Sequence, residues 1–387
     1  MATKLEETTT TARRVFVGCG IIVIVILLYN FASKFLKPSE SPFNPYPTEA
    51  EDRFGNLPEL SFNSLLLSEG SEPTYRIYTT DGDLPSIHQF INVYKTKTPR
   101  QSLTAQDDAL ATAKALGFTV KAKVISSTEL KWNEDNRTLK INKLFGTVRL
   151  TTNYRKHKEA SKDRNIKPKY NSHVNQAKNF LSKANLFPSE YVENSDTSLT
   201  YLRLTKNYQL RQASAVSEAN MIRVDFFKKE ESLTPIALKS FPDEEKENIR
   251  ELAEFSTVNQ NNPYIGLVYI IFGGSQGKGG IYEVRYTDWE LEEKSRYKTI
   301  SVEKAWGAVQ KNEGSLQYLY EPNADPYKPY VPLDIEEYLL TDVEIMYYSS
   351  HQYIQYLQPV YKFSGLAPLT DEDTLANFVI YYPAIKR

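Results

Sequence analysis

The chain has 387 residues, with 47 Lys plus Arg balanced by 48 Asp plus Glu, and a net charge this close to zero argues against nucleic acid as the main partner. Its single cysteine, Cys19, excludes intramolecular disulfides and thiolate metal sites in the bulk of the chain. Tyrosine is over-used, at 27 Tyr and 18 Phe against 3 Met, and tyrosine suits half-buried pleated surfaces, so the composition leans towards sheets.

In chain order, a short tail (1–14) ending in Arg13 and Arg14 precedes a run from 15 to 32 that carries no formal charge. About 18 apolar residues are enough to cross a hydrocarbon core, so 15–36 reads as an uncleaved transmembrane helix. The tail is then expected in the cytoplasm and the bulk outside it, which gives a single-pass cell-membrane protein with an extracytoplasmic body. Pro38, Pro42, Pro45 and Pro47 follow, and 37–72 reads as a Pro-rich stalk.

The first module is expected over 73–153. Strand signals occur at 74–80 and 88–96, with Asp81 and Gly82 as a turn between them. A helix over 103–116 is capped by Thr104, stopped by Gly117, and presents Ala105, Ala109 and Ala113 as a narrow face. Further strands are expected at 120–126, 139–143 and 146–152, with a turn at 133–136. Residues 154–170 carry seven Lys or Arg against two acids and read as a solvated basic linker.

A second module is expected over 171–298. Its helix, 171–186, groups Val174, Ala177, Phe180, Leu181 and Ala184 on one side. Strands follow at 198–204, 221–228, 264–272 and 280–289. In the last of these, Tyr282, Val284 and Tyr286 alternate with Glu283, Arg285 and Thr287, the pattern of a strand with one wet face. The third module, 299–387, opens with Ser301 as a cap and a helix whose Val302, Ala305, Trp306 and Val309 share a face, ending at Gly314. Strands at 342–348, 356–363 and 377–382 close the chain, and Pro359 argues for an edge or a bulge in the second. The fold class expected is therefore α+β: a single N-terminal transmembrane helix followed by two or three modules, each a short helix packed on an antiparallel β-meander.

No motif yields a catalytic, cofactor or metal residue. Residues 273–277 fit G-x-S-x-G, but five glycines in eight residues and a strand on each side describe a hairpin loop, so Ser275 is expected not to be a nucleophile. The same loop fails as a phosphate loop, because Phe272 and Gly279 occupy the positions of its first glycine and its hydroxyl residue. His88, His157, His173 and His351 show no ligand spacing, and the acidic clusters 243–247 and 371–373 lack the spaced oxygens of a calcium loop. Tyr347, Tyr348, Tyr353, Tyr356, Tyr361, Phe363, Tyr381 and Tyr382 crowd the last strands. They are expected mainly as core, with an outward minority open to peptide or glycan.

The stretches 300–314 (ISVEKAWGAVQKNEG), 342–350 (DVEIMYYSS) and 356–365 (YLQPVYKFSG) resemble the last domain of YycI/YycH-type regulators, and the helix-then-sheet unit is similar to PepSY modules. The resemblance implies a non-enzymatic partner of a membrane sensor kinase or another envelope complex, and it carries over no functional residue. The function expected is thus a membrane-anchored extracytoplasmic interaction or regulatory protein, with no cofactor, whose partners are the membrane and another envelope protein. The alternative is an anchored envelope hydrolase or a glycan- or peptide-binding protein.

Overall fold

The computed structural model describes residues 49–385, apart from 88, 157–165, 167–168, 189–190, 192–194, 232–253, 260–261, 274–279, 323, 325–326 and 371–373. The apolar run 15–36 and the first part of the expected stalk lie outside them. No helix among the described residues is long and apolar enough to cross a membrane, so the single-pass anchor and the localisation built on it are not retained.

Two strands come first, β1 (Thr74–Ile77) and β2 (Phe90–Thr96). Helix α1 (Ala105–Ala115) then leads into β3 (Lys123–Val124), β4 (Glu129–Glu134), β5 (Arg137–Asn142) and β6 (Thr147–Thr152). Helix α2 (Tyr170–Lys183) leads into β7 (Ser195–Leu204), β8 (Leu210–Gln212) and β9 (Met221–Glu231), and β10 (Glu254–Asn259), β11 (Val268–Gly273) and β12 (Ile281–Tyr286) follow. The chain closes with β13 (Leu291–Lys298), α3 (Val302–Val309), β14 (Ser315–Tyr320), β15 (Glu337–Ser349), β16 (Tyr356–Pro368) and β17 (Leu375–Pro383).

The expected series of helix-on-meander modules is overturned. The described fold is mostly β, and its seventeen strands form one network of pairings that ignores the module order. Its first part is an antiparallel run in the order β3-β4-β5-β6-β12-β11-β9-β7-β8. Its second part orders β14-β17-β16-β15 antiparallel, with β1 and β10 both parallel to β15. The β13-β2 pair joins at the start of β16. Strand β10 also pairs with β9, so it links the two parts. The sheet is mixed because strands from far earlier in the chain fill the parallel positions on β15.

Each part has its own core. In the first, Ala109, Ala113 and Leu116 of the α1 region and Val174, Ala177 and Leu181 of α2 pack on one sheet face with Trp132, Leu139, Leu150, Val224, Ile270 and Val284. The alanines expected to lie close to a sheet do so at Ala109 and Ala113. In the second, Val302, Ala305, Trp306 and Val309 are buried with Tyr347, Tyr361, Phe363 and Phe378, but the same core takes in Ile91 and Tyr94 of β2. The segment 49–72, expected as part of a free stalk, runs along this second part. Leu65 N–H donates to the Leu316 carbonyl at 2.7 Å, and the Tyr348 hydroxyl donates to the Ser61 carbonyl at 2.5 Å. Leu60 and Phe62 cover Tyr348 and Tyr381 on the sheet face away from α3.

Local chemistry sets several boundaries. Asp135 and Asn136 both take positive φ, 50° and 61°, which closes the β4–β5 hairpin with the twist that flanking strands prefer. Gly117 at φ 88° ends α1: its N–H reaches the Lys114 carbonyl and the Phe118 N–H reaches Ala113, the paired bonds of a left-handed helix stop. Thr104 does not cap the backbone; its hydroxyl donates to Asp108 instead, at 2.8 Å. Helix α3 is capped by Ser301 as expected, but its left-handed residue is Asn312, not Gly314. Pro359 sits within a central strand, contrary to the edge expectation. It falls where β16 changes neighbour from β2 to β17, so no sheet bond needs its missing N–H.

Candidate functional site

The expected wet face of β12 is covered. A register shift opposite Ile271 and Phe272 turns Tyr282 onto the side away from the helices, where it packs with Leu202, Met221 and Ile271. On that side lies a buried polar constellation. Arg223 grips Asp225 with two parallel bonds of 2.7 Å, Nε to Oδ2 and Nη2 to Oδ1, and donates from Nη1 to the Tyr327 hydroxyl at 3.2 Å. Asp225 Oδ1 also accepts from the Gly266 N–H at 2.9 Å. The Arg223 guanidinium stacks over Tyr269, 4.0 Å from the ring centre.

Beside them the Tyr154 hydroxyl donates to Glu283 at 3.0 Å. Burial raises the Glu283 carboxyl above its ordinary range, against the pull of that bond and of Arg223 and Arg149. Burial also pushes the Tyr327 phenol up to about 12. These charges are matched by partners inside the fold, so the constellation holds the loop that carries Tyr327 against the sheet.

The open site is a cleft of about 790 Å³ at the end of β6 and β12 where α1 begins. Its apolar lining includes Ile141, Leu144, Phe145, Leu186, Pro188 and Trp289, and its charged lining Lys97, Arg100, Lys143, Asp108, Asp288 and Glu290. Local bonding fixes both sides. The Asn142 side chain accepts from the Leu144 and Phe145 N–H groups at 2.9 and 3.1 Å, which turns that loop into the cleft. The Thr112 hydroxyl donates to the Ala184 carbonyl at 3.1 Å and ties α1 to the end of α2.

Trp289 is held by its indole N–H on the Ser350 carbonyl at 2.9 Å. Its ring meets Phe145 and Tyr353 edge-on, at 6.1 and 5.7 Å, while those two stack on each other. Lys97 pairs with Glu290 at 2.7 Å and Asp288 with Lys228 at 3.4 Å, whereas Arg100 and Lys143 have no ion-pair partner among the described residues. An apolar floor with both signs of charge at its margin can hold a chain that is itself amphipathic and of mixed charge.

The residues weighed from sequence fare differently. Ser275, His88, His157 and both acidic clusters, 243–247 and 371–373, lie outside the described residues. His173 is on α2, edge-on to Tyr201 at 6.1 Å. His351 shares a 2.9 Å hydrogen bond with Thr287, and burial, then Arg285 and Arg149, hold its imidazole down to about 3. Tyr347, Tyr348, Tyr361, Phe363 and Tyr381 are core, while Tyr353, Tyr356 and Tyr382 are half-buried, Tyr353 at the aromatic cluster beside the cleft. No group of three or more metal-ligating side chains occurs among the described residues.

Sequence reasoning missed the cleft, because its lining comes from four separate stretches of chain. It also missed Arg223 and Asp225, although a charge at every second position of an apolar strand (MIRVDFF) was a readable sign of a buried pair. Comparison with models of known protein families and with curated protein sequences finds no match.

Proposed function

We propose that this protein is a non-enzymatic interaction protein that receives a segment of a partner polypeptide in the cleft between α1 and the ends of β6 and β12. The observation that carries this is the cleft's lining: Phe145, Leu144 and Trp289 under a margin with three basic and three acidic side chains. A margin of balanced charge suits a polypeptide of mixed sign better than a polyanion. The aromatic residues supply the rigid apolar anchors that dominate such contacts. The likeness of 300–314, 342–350 and 356–365 to YycI/YycH-type regulators points the same way, towards a regulatory partner rather than a substrate.

Selection of peptides from an unbiased display library against the intact chain tests the reading. Selected peptides should carry an apolar anchor and lose binding to Leu144→Arg, while a change at the distant, exposed Tyr208 leaves binding intact. Peptides that bind Leu144→Arg as well as the parent chain would refute it. Selective capture of neutral glycans, with no peptide binding, would favour a glycan-binding protein instead.

A further inference from the structure

A second site lies on the opposite face of the same strands. Arg285 of β12 and Arg149 of β6 are directly paired in register, so both side chains leave the sheet on the face away from the helices. Opposite residues of an antiparallel pair stand about 5 Å apart at Cβ, and like charges placed there repel. Other arginines in the described fold have answered this problem with an acid: Arg223 with Asp225, Arg76 with Glu337, Arg296 with Glu51 and Arg203 with Glu218. Arg149 and Arg285 have no ion-pair or hydrogen-bond partner among the described residues. The acid two positions along β12, Glu283, makes its hydrogen bond with Tyr154 and feels Arg149 only through space.

Glu283 attracts Arg149 from the Tyr154 side and offsets only part of this positive charge. Thr287, two residues beyond Arg285, is fully buried and shares its hydroxyl with Nδ1 of His351 at 2.9 Å. The turn that carries His351 is anchored next door, where Trp289 donates to the Ser350 carbonyl. That wall therefore offers a neutral imidazole beside a hydroxyl. Arg149 is exposed and Arg285 half-buried, so a small ligand reaches the pair from solvent. Two planar guanidinium groups on one face match the several acceptor oxygens of a tetrahedral oxyanion, each able to give two parallel bonds.

We propose that Arg149 and Arg285, flanked by Thr287 and His351, form a binding site for a phosphate or sulfate group, either as the free ion or as the ester of a larger ligand. Melting of the full chain in sodium phosphate or sodium sulfate, against sodium chloride at matched ionic strength, is the direct test. The wild type should gain stability with either oxyanion, and Arg149→Gln and Arg285→Gln should each weaken the response at least about tenfold in concentration. In chloride alone Arg149→Gln should melt close to wild type, since the repulsion it removes offsets the attraction to Glu283 that it loses.

Phenyl phosphate separates the two sources: tighter binding than inorganic phosphate assigns the site to an ester, and equal or weaker binding to the free ion. A response of equal size in both variants would overturn the proposal, as would no response in the wild type. A large fall in the chloride melting point of Arg149→Gln would also overturn it, by making the arginine a structural contact. The peptide cleft stands or falls separately, because Leu144→Arg leaves this face untouched.

Discussion

At the scale of single residues, three cases show how burial converts composition into stability. Trp306 is 3% exposed and lies against Phe363 and Tyr75, with ring centres 5.2 and 5.7 Å away. Truncation to alanine should lower unfolding free energy by roughly 3–5 kcal/mol in urea titration. Its indole N–H has no acceptor among the described residues, so Trp306→Phe should cost distinctly less. The Arg223–Asp225 pair is the second case, with side chains 6% and 2% exposed. Asp225→Ala strands a buried guanidinium and should cost about 3–5 kcal/mol by the same measurement.

His351 is the third, and its sign follows from linkage. Its pKa is about 3 in the fold against 6.5 for an ordinary imidazole, because burial and then the cations Arg285 and Arg149 oppose its charge, and the hydroxyl of Thr287 that it bonds is neutral. The unfolded chain therefore binds a proton that the folded one refuses. The stability this gives is complete above the unfolded value and is lost as pH falls from about 6.5 towards 3. Melting at pH ~7 and ~4.5 should show a smaller acid loss for His351→Gln than for wild type.

At the scale of elements, the ends of helices and the contacts between strands depend on a few residues with no alternative. Gly117 allows α1 to stop sharply, and Asp135–Asn136 allows β4 to turn back on itself. Gly365 of β16 matters for another reason. A Cβ there would lie 2.0 Å from the Leu339 carbonyl oxygen and 2.9 Å from the Phe378 ring. Backbone cannot yield as a side-chain tip does, so Gly365→Ala should cost at least about 1–3 kcal/mol, read as a lowered midpoint in urea. Both glycines stood in the sequence, yet only Gly117 could be interpreted there. A helix stop is local, whereas the crowding at Gly365 comes from a strand some 26 positions earlier in the chain.

At the scale of the whole molecule, the second core is assembled from both ends of the described chain. Strands β1 and β2 and the segment 49–72 lie on β13 to β17, while the first core is built wholly from the residues between them. An isolated fragment 299–387 would lack Ile91, Tyr94, Phe62 and the strands parallel to β15. It should show no cooperative urea transition and no near-ultraviolet dichroism. A sharp transition in that fragment would mean that β1 and β2 are dispensable.

What the sequence by itself determined is local: the apolar faces of α1, α2 and α3, the Ser301 cap, and the core role of most C-terminal tyrosines. Each of these rests on periodicity or on a neighbour within a few positions, which a linear reading contains. Tertiary structure alone decided the rest. It placed early strands beside late ones, laid 49–72 on the sheet, covered the polar face of β12 with Tyr154 and Tyr327, and set Arg149 opposite Arg285. Those arrangements join residues tens to hundreds of positions apart. Their free energy comes from burying surfaces against each other, and nothing in the order of residues along one strand names the surface that will cover it.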